Sequence, residues 1–290
     1  MSLSASPQDA SEVTTGPASL PGRVWLIGAG PGAADLITVR GARLLAQANV
    51  VLHDALVIPE MLALCPQAIL IDVGKRCGQR STAQDSINQQ LVDSARSHAR
   101  VVRLKGGDPM LFGRADEELR ALEEAGIAVE VVPGITTALA AAASSGQPLT
   151  RRGIARSVAF FTSSTDPNEP GAATMPVADT LVQYMGGREA VQTARRLQAL
   201  GRPADTPVVV VENCSRADEK ILRIRLSDLA QGLVATGGPV LVMIGAALAE
   251  RGVGAERDAF GATVAGVAGG ADIAAATDPA DPEREPKPSH

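Results

Sequence analysis

The chain has 290 residues, 45% hydrophobic and 20% charged, enough to bury a full core as one large domain or two modest ones. A net charge of −5 and only 2% aromatic residues argue against a general nucleic-acid or anionic-membrane binder and against stacking platforms for single strands. No run reaches the ~18 apolar residues of a membrane span, and the first residues lack the basic start and apolar core of a secretory signal, so a soluble cytoplasmic protein is expected.

Residues 1–22, rich in Ser, Ala, Thr and Pro, read as a disordered tail, with order beginning at Arg23. Val24–Ile27 is a short apolar run closed by Gly28, as a buried strand is. Residues 35–48 carry apolar side chains at helical spacing. Strands are expected at 49–52, 69–71 and 101–104, with a helix over 84–97 before the last of them. A helix over 115–125, closed by Gly126, and a strand over 129–132 complete a first α/β lobe at 23–150. The Arg151–Arg152–Gly153 segment reads as a junction to a second lobe at 151–250. That lobe has strands expected at 157–161, 180–184, 207–211, 220–225 and 239–244 and a helix over 188–200. Strands alternating with helices predict largely parallel or mixed sheets. Residues 251–290 turn to Ala, Gly, Pro and charge and read as a second disordered tail.

Three loops stand out. Gly28-Ala-Gly30-Pro-Gly32 follows a strand, where α/β proteins bind ligands, and it is open to a tight turn or a dinucleotide fingerprint. Asp54 lies where a ribose-binding acid would, but Ala33 and Ala34 replace the third glycine and Pro31 removes an N–H donor. Lys105-Gly106-Gly107-Asp108-Pro109 makes a rigid corner, with Asp108 either a ligand acceptor or a helix cap. Val132-Pro133-Gly134-Ile135-Thr136-Thr137 presents two hydroxyls at a helix start.

The series GAGPGAADLIT, DALV, VVRLKGGDPMLFGR, VVPGITTALAA, GQPLTRR, TLVQYMGG and TPVVVVEN, from about Val24 to Ala249, resembles the tetrapyrrole methyltransferases, and within them the branch acting on uroporphyrinogen III. The resemblance implies two α/β lobes with S-adenosyl-L-methionine in the cleft between them, S-adenosyl-L-homocysteine as its product, and a homodimer. It implies cofactor contacts at Pro31, Gly106, Gly107, Asp108, Leu111, Thr136, Thr137, Met185 and Cys214. Asp54 would be a proton acceptor, Lys75 a proton donor and Arg114 both catalytic and substrate-binding, with Glu117 and Arg152 also on the substrate. The implied reaction is methylation at C2 and C7, through precorrin-1 to precorrin-2, for sirohaem, cobalamin or haem d1.

These residue types suit that chemistry. A substrate with eight carboxylates calls for arginine forks, and Lys75, Arg76, Arg80, Arg114, Arg151 and Arg152 could form the local basic patch. The pyrrole supplies its own nucleophilic carbon, so neither a metal nor a covalent enzyme nucleophile is needed. The sparse cysteines (Cys65, Cys77, Cys214) and histidines (His53, His98, His290) agree with this. Departures from the family pattern are His53 in place of tyrosine, Thr162-Ser163-Ser164 in place of Thr-Gly-His, and Cys214 in place of a frequent glycine. His53 could share the proton of Asp54, and Cys214 reads as a small buried filler. Rival readings are a methyltransferase of a later precorrin, a nicotinamide-dependent oxidoreductase, and a non-catalytic tetrapyrrole or cofactor binder.

Overall fold

The apolar runs of the first half form five parallel strands, β1 (Arg23–Gly28), β2 (Val50–His53), β3 (Ile69–Asp72), β4 (Arg100–Lys105) and β5 (Val129–Val132), in the order β3-β2-β4-β1-β5. The helices between them are α1 (Val39–Leu45), α2 (Pro59–Leu62), α3 (Arg80–Ser97) and α4 (Ala115–Glu124). Alternate strand residues face opposite ways. Val24, Leu26, Val50, Leu52 and Val101 pack with Leu91 and Ala95 of α3 and Leu122 of α4. Ile27, Val51, Val102, Leu104 and Val132 pack with Leu45 of α1 and Met61 of α2. Burial on both faces is why the inner strands read as largely apolar runs, while the edge strand β3 stays half exposed. The structure, a computed structural model, describes residues 22–74, 80–163, 174–233 and 237–250. The two expected tails, Gly22 apart, lie outside the described residues, as do Lys75 and Arg76.

One helix is shorter than its spacing suggested. The helix expected over 35–48 begins only at Val39, because Ile37 and Thr38 are extended, with ψ of 147° and 148°. Thr38 Oγ1 accepts from Gly41 N at 3.1 Å and caps α1 there. Residues 34–36 form a separate 3-10 turn, so the chain crosses the end of β1 before it coils.

The helix after β5 is α5 (Thr137–Ser144). A second sheet comes next, made of β6 (Val158–Thr162), β7 (Thr180–Tyr184), β8 (Pro207–Glu212), β9 (Lys220–Arg225) and β10 (Val240–Ile244), in the order β6-β7-β10-β8-β9. Only β6 and β7 pair in parallel; the other neighbours are antiparallel. On one face Leu181, Val208, Val210 and Val242 meet α6 (Gly186–Ala199) and α7 (Leu226–Gln231). On the other, Val182, Val209, Leu241 and Met243 meet Ala138 and Ala141 of α5. Alanines let that helix lie close to the sheet, so a helix that leaves the first sheet covers the second.

Further ties join the two halves. Thr180 Oγ1 donates to Leu149 O at 2.8 Å, Arg223 Nη2 to Ser145 O at 2.9 Å, and Arg216 Nη2 to Leu56 O at 2.7 Å. Ala141 is fully buried between α5 and the second sheet. Ala141→Leu should therefore destabilise the protein by about 1–3 kcal/mol through overpacking, read as a lower midpoint in urea. An unchanged midpoint would refute tight packing at this joint.

Candidate functional site

The order β4-β1-β5 sets three strand ends side by side, so loops far apart in sequence become neighbours. Gly30 and Gly107 exchange backbone bonds, Gly30 N to Gly107 O at 3.2 Å and Gly107 N to Gly30 O at 2.7 Å. A Cβ on Gly28 would stand 2.6 Å from both Gly107 O and Gly134 Cα. Asp108 stitches the second loop to the third: one carboxylate oxygen accepts from Met110 N at 2.8 Å, the other from Gly134 N at 2.9 Å. It caps no helix, since α4 begins only at Ala115. Gly107 has φ +69°, and the space where its Cβ would stand is open, so a ligand can approach its backbone closely.

The facing wall comes from the second sheet: Tyr184 at the end of β7 and Met185 after it, Cys214 after β8, and residues 237–241 at the start of β10 and just before it. Together the walls enclose a cleft of about 990 Å³. All nine positions implied for the cofactor, from Pro31 to Cys214, line it. So do Leu56, Phe112, Ser163 and Tyr184, which sequence reading had not assigned to the site.

Tyr184 bridges the two walls. Its hydroxyl lies 2.5 Å from Thr136 Oγ1 and accepts from Ala138 N at 3.1 Å, capping α5 where Thr136 makes no cap bond of its own. Burial pushes its phenol above the usual range. Burial also pushes the Cys214 thiol up to about 12, so this side chain is a neutral apolar filler at physiological pH. Among the described residues, the non-glycine residues with positive φ are Phe112 (52°), Arg114 (54°), Met185 (56°), Asn213 (52°) and Ser215 (58°). Each lines the cleft or stands within two residues of one that does. Backbone strain of order 1–3 kcal/mol per residue is thus concentrated at this site.

The first loop does not form a dinucleotide cradle. Ala29 N is bound to Lys105 O, Gly30 N to Gly107 O and Ala33 N to Ser215 Oγ, while Pro31 has no N–H. The loop leads into a 3-10 turn, not into the N-terminus of an α-helix.

Asp54 stands just past β2, its side chain 29% exposed and paired with Arg103 Nη2. Arg103 is the centre of a buried network that the sequence reading missed. Arg103 and Lys105 share one face of β4 with Val101, and both donate to the fully buried Glu118 of α4, each at 2.9 Å. Burial, with Arg103 close by, holds the Lys105 ammonium below the ordinary lysine range despite Glu118. The signal was two cations at alternate positions of an otherwise apolar strand, with a glutamate in the first turn of the next helix.

The other expected residues are placed variously. Arg114 makes a two-pronged contact with Glu117, Nε to Oε1 and Nη2 to Oε2 at 2.7 Å each, both side chains exposed. Arg152 was expected to face the cleft, but it is exposed on the Arg151–Ala155 turn and does not line it. Its neighbour Ile154 lines a separate cavity of about 400 Å³. His53 Nδ1 lies 3.3 Å from the backbone oxygen of Asp54 and does not engage the carboxylate, which turns to Arg103 instead. Ser163, at the departed Thr-Gly-His position, accepts from Gln183 Nε2 and lies within bonding distance of Thr193 Oγ1, both at 3.2 Å. Lys75 lies outside the described residues. Among the described residues no group of three or more His, Cys, Asp or Glu is placed to hold a metal, and no helix is long and apolar enough to cross a membrane.

Comparison with known proteins bears on the same cleft. The profile of the Tetrapyrrole (Corrin/Porphyrin) Methylases matches residues 23–230. A uroporphyrinogen-III C-methyltransferase of Pseudomonas aeruginosa is 44% identical over 228 residues, covering 77% of this chain and 93% of that protein. A siroheme synthase of Serratia proteamaculans is 43% identical over 242 residues, 82% of this chain but 51% of its own length, so the chain spans about half of that relative. Among solved structures, a uroporphyrin-III C-methyltransferase of Thermus thermophilus, complexed with S-adenyl homocysteine, superposes with a TM-score of 0.69 at 41% identity, covering 78% of this chain and 93% of that one.

The buried network makes its own prediction. Glu118→Ala leaves Arg103 and Lys105 as buried cations facing only Asp54. It should cost about 3–5 kcal/mol of stability in urea denaturation at neutral pH. A loss below about 1 kcal/mol, as at an ordinary surface site, would show that water reaches the pair.

Proposed function

The chain belongs to the tetrapyrrole (corrin/porphyrin) methylases, and on that premise we propose that it methylates uroporphyrinogen III with S-adenosyl-L-methionine, at C2 and C7, giving precorrin-1 and then precorrin-2. The observation that carries this reading is one cleft lined by all three glycine loops and by Met185 and Cys214 from the opposite wall. The cleft volume of about 990 Å³ is at the upper end of ordinary ligand sites, and the open side of Gly107 gives a ligand close access to backbone.

When bound, the cofactor supplies an electrophilic methyl group on a sulfonium. Pro31, Gly106, Gly107, Asp108, Leu111, Thr136, Thr137, Met185 and Cys214 hold it. The chain's task is then alignment and proton handling. Asp54, fixed by Arg103, accepts the proton lost from the macrocycle, and Lys75 donates one. Arg114, oriented by Glu117, acts on the peripheral carboxylates, where a planar guanidinium fork suits the geometry. No metal takes part. The enzyme works as a cytoplasmic homodimer. The siroheme synthases among its relatives support delivery of precorrin-2 to sirohaem rather than to cobalamin or haem d1.

Incubation with uroporphyrinogen III and S-adenosyl-L-methionine should give products heavier by one and by two methyl groups. S-Adenosyl-L-homocysteine should raise the melting temperature, because it binds the folded state only, and NAD should not. A shift with NAD alone would favour the oxidoreductase. Asp54→Asn should lower turnover roughly 10²–10⁴-fold, as loss of a general base does, with homocysteine-product affinity unchanged. Full turnover in that variant would remove Asp54 from proton transfer.

A further inference from the structure

Aromatic side chains are scarce in this chain: one Trp, one Tyr and four Phe. Among the described residues, Phe112 and Tyr184 line the cleft and Phe160 packs against Tyr184. The rings of Phe112 and Tyr184 have centroids 5.1 Å apart at an interplanar angle of 55°, and that of Phe160 lies 6.0 Å from Tyr184 at 66°. Tyr184 is the fixed member, since its hydroxyl is bound at Thr136 and at Ala138 N. Phe112 is the presented one. It lines the cleft, and 43% of it remains exposed, beside the exposed Met110 and Met185.

Core packing does not explain Phe112. A bulky residue at φ 52° is in an unfavourable backbone conformation, and an aromatic ring left half in water forgoes much of its burial. Strain at such a position persists where the surrounding structure enforces it, typically at a ligand clamp. Here Arg114, two residues on, is also left-handed, and its two-pronged contact with Glu117 anchors the turn to α4.

We propose that Phe112 is a substrate-positioning residue whose exposed ring faces one pyrrole of the macrocycle, backed by Tyr184; this rests on the methyltransferase reading above. The inclined rings suit a porphyrinogen. Its pyrroles are joined by tetrahedral methylene bridges and tilt independently, whereas three rings inclined at 55° and 66° make no flat platform for a fully conjugated porphyrin. Phe112 comes just after the loop of Gly106, Gly107 and Asp108, so a pyrrole resting on it is held beside the proposed cofactor contacts, as methyl transfer to a ring carbon requires.

The test uses the full chain, with steady-state methylation of uroporphyrinogen III, calorimetry with S-adenosyl-L-homocysteine, and thermal melts. Phe112→Leu keeps apolar volume but loses the π face. It should raise KM for uroporphyrinogen about 3–10-fold, the range of an aromatic pair, while Phe112→Tyr should stay within about twofold of the parent. Cofactor-product affinity and melting temperature should not move in either. Inhibition by flat, oxidised uroporphyrin should also be unaltered by Phe112→Leu, so the preference for the reduced macrocycle narrows. An unchanged KM in Phe112→Leu, an equal loss in Phe112→Tyr, or a matching fall in homocysteine-product affinity each overturns the assignment. If the parent chain binds S-adenosyl-L-homocysteine yet methylates no uroporphyrinogen III, the reaction itself is wrong and the positioning role falls with it. An active parent with an unmoved leucine variant refutes Phe112 alone.

Discussion

Backbone touches backbone where the ends of β1, β4 and β5 meet, and the floor of the cleft depends on that contact. Gly28 sits so close to Gly107 and Gly134 that any side chain on it would force the loops apart. The paired bonds between Gly30 and Gly107 and the two-sided grip of Asp108 then lock the loops in one arrangement. The positions of the cleft-lining groups therefore depend on sheet order and on the absence of a few atoms. The second sheet contributes a wall rather than a floor, joined through the Tyr184 hydroxyl, Arg216 and α5.

A second constraint lies beneath that floor. Arg103, Lys105 and Glu118 are buried at the C-terminal end of the sheet, where apolar residues would pack at lower electrostatic cost. The two cations and two carboxylates of Arg103, Lys105, Glu118 and Asp54 balance in formal charge. What the arrangement provides is direction: Glu118 and the Leu104 carbonyl occupy two sides of the Arg103 guanidinium, leaving the remaining nitrogen to fix Asp54 at the surface. Asp54 thus receives its orientation from residues that never reach the cleft.

The inner strands were legible in the sequence because double-sided burial writes them as short apolar runs, whereas β9 showed itself by alternating polar and apolar residues. The three loops were legible for the same reason, as glycines placed directly after such runs. The start of α1 was not, because Ile37 keeps helical spacing while its backbone is extended, and spacing does not report ψ. The short helices α2 and α7 carry too few turns to show a period. The ion network was missed because charges are read as solvated until a partner is seen, and Glu118 is brought to β4 only by helix packing. The outward setting of Arg152 was hidden too, since a basic turn between two lobes looks the same whichever way it faces.

Helix α5 is synthesised directly after β5, yet the surface that covers its alanines includes β8 and β10, which emerge much later. The first sheet can assemble from local α/β units as the chain grows, since every strand of it is already made. Its last helix must wait, apolar face uncovered, until Val240–Ile244 inserts between β7 and β8. Long-range pairings of this kind are slow to form, and an uncovered apolar face is a point of misassembly in a nascent chain. Because Tyr184, Cys214 and Leu241 all take their places with that sheet, the cleft is among the last features of the molecule to appear during folding.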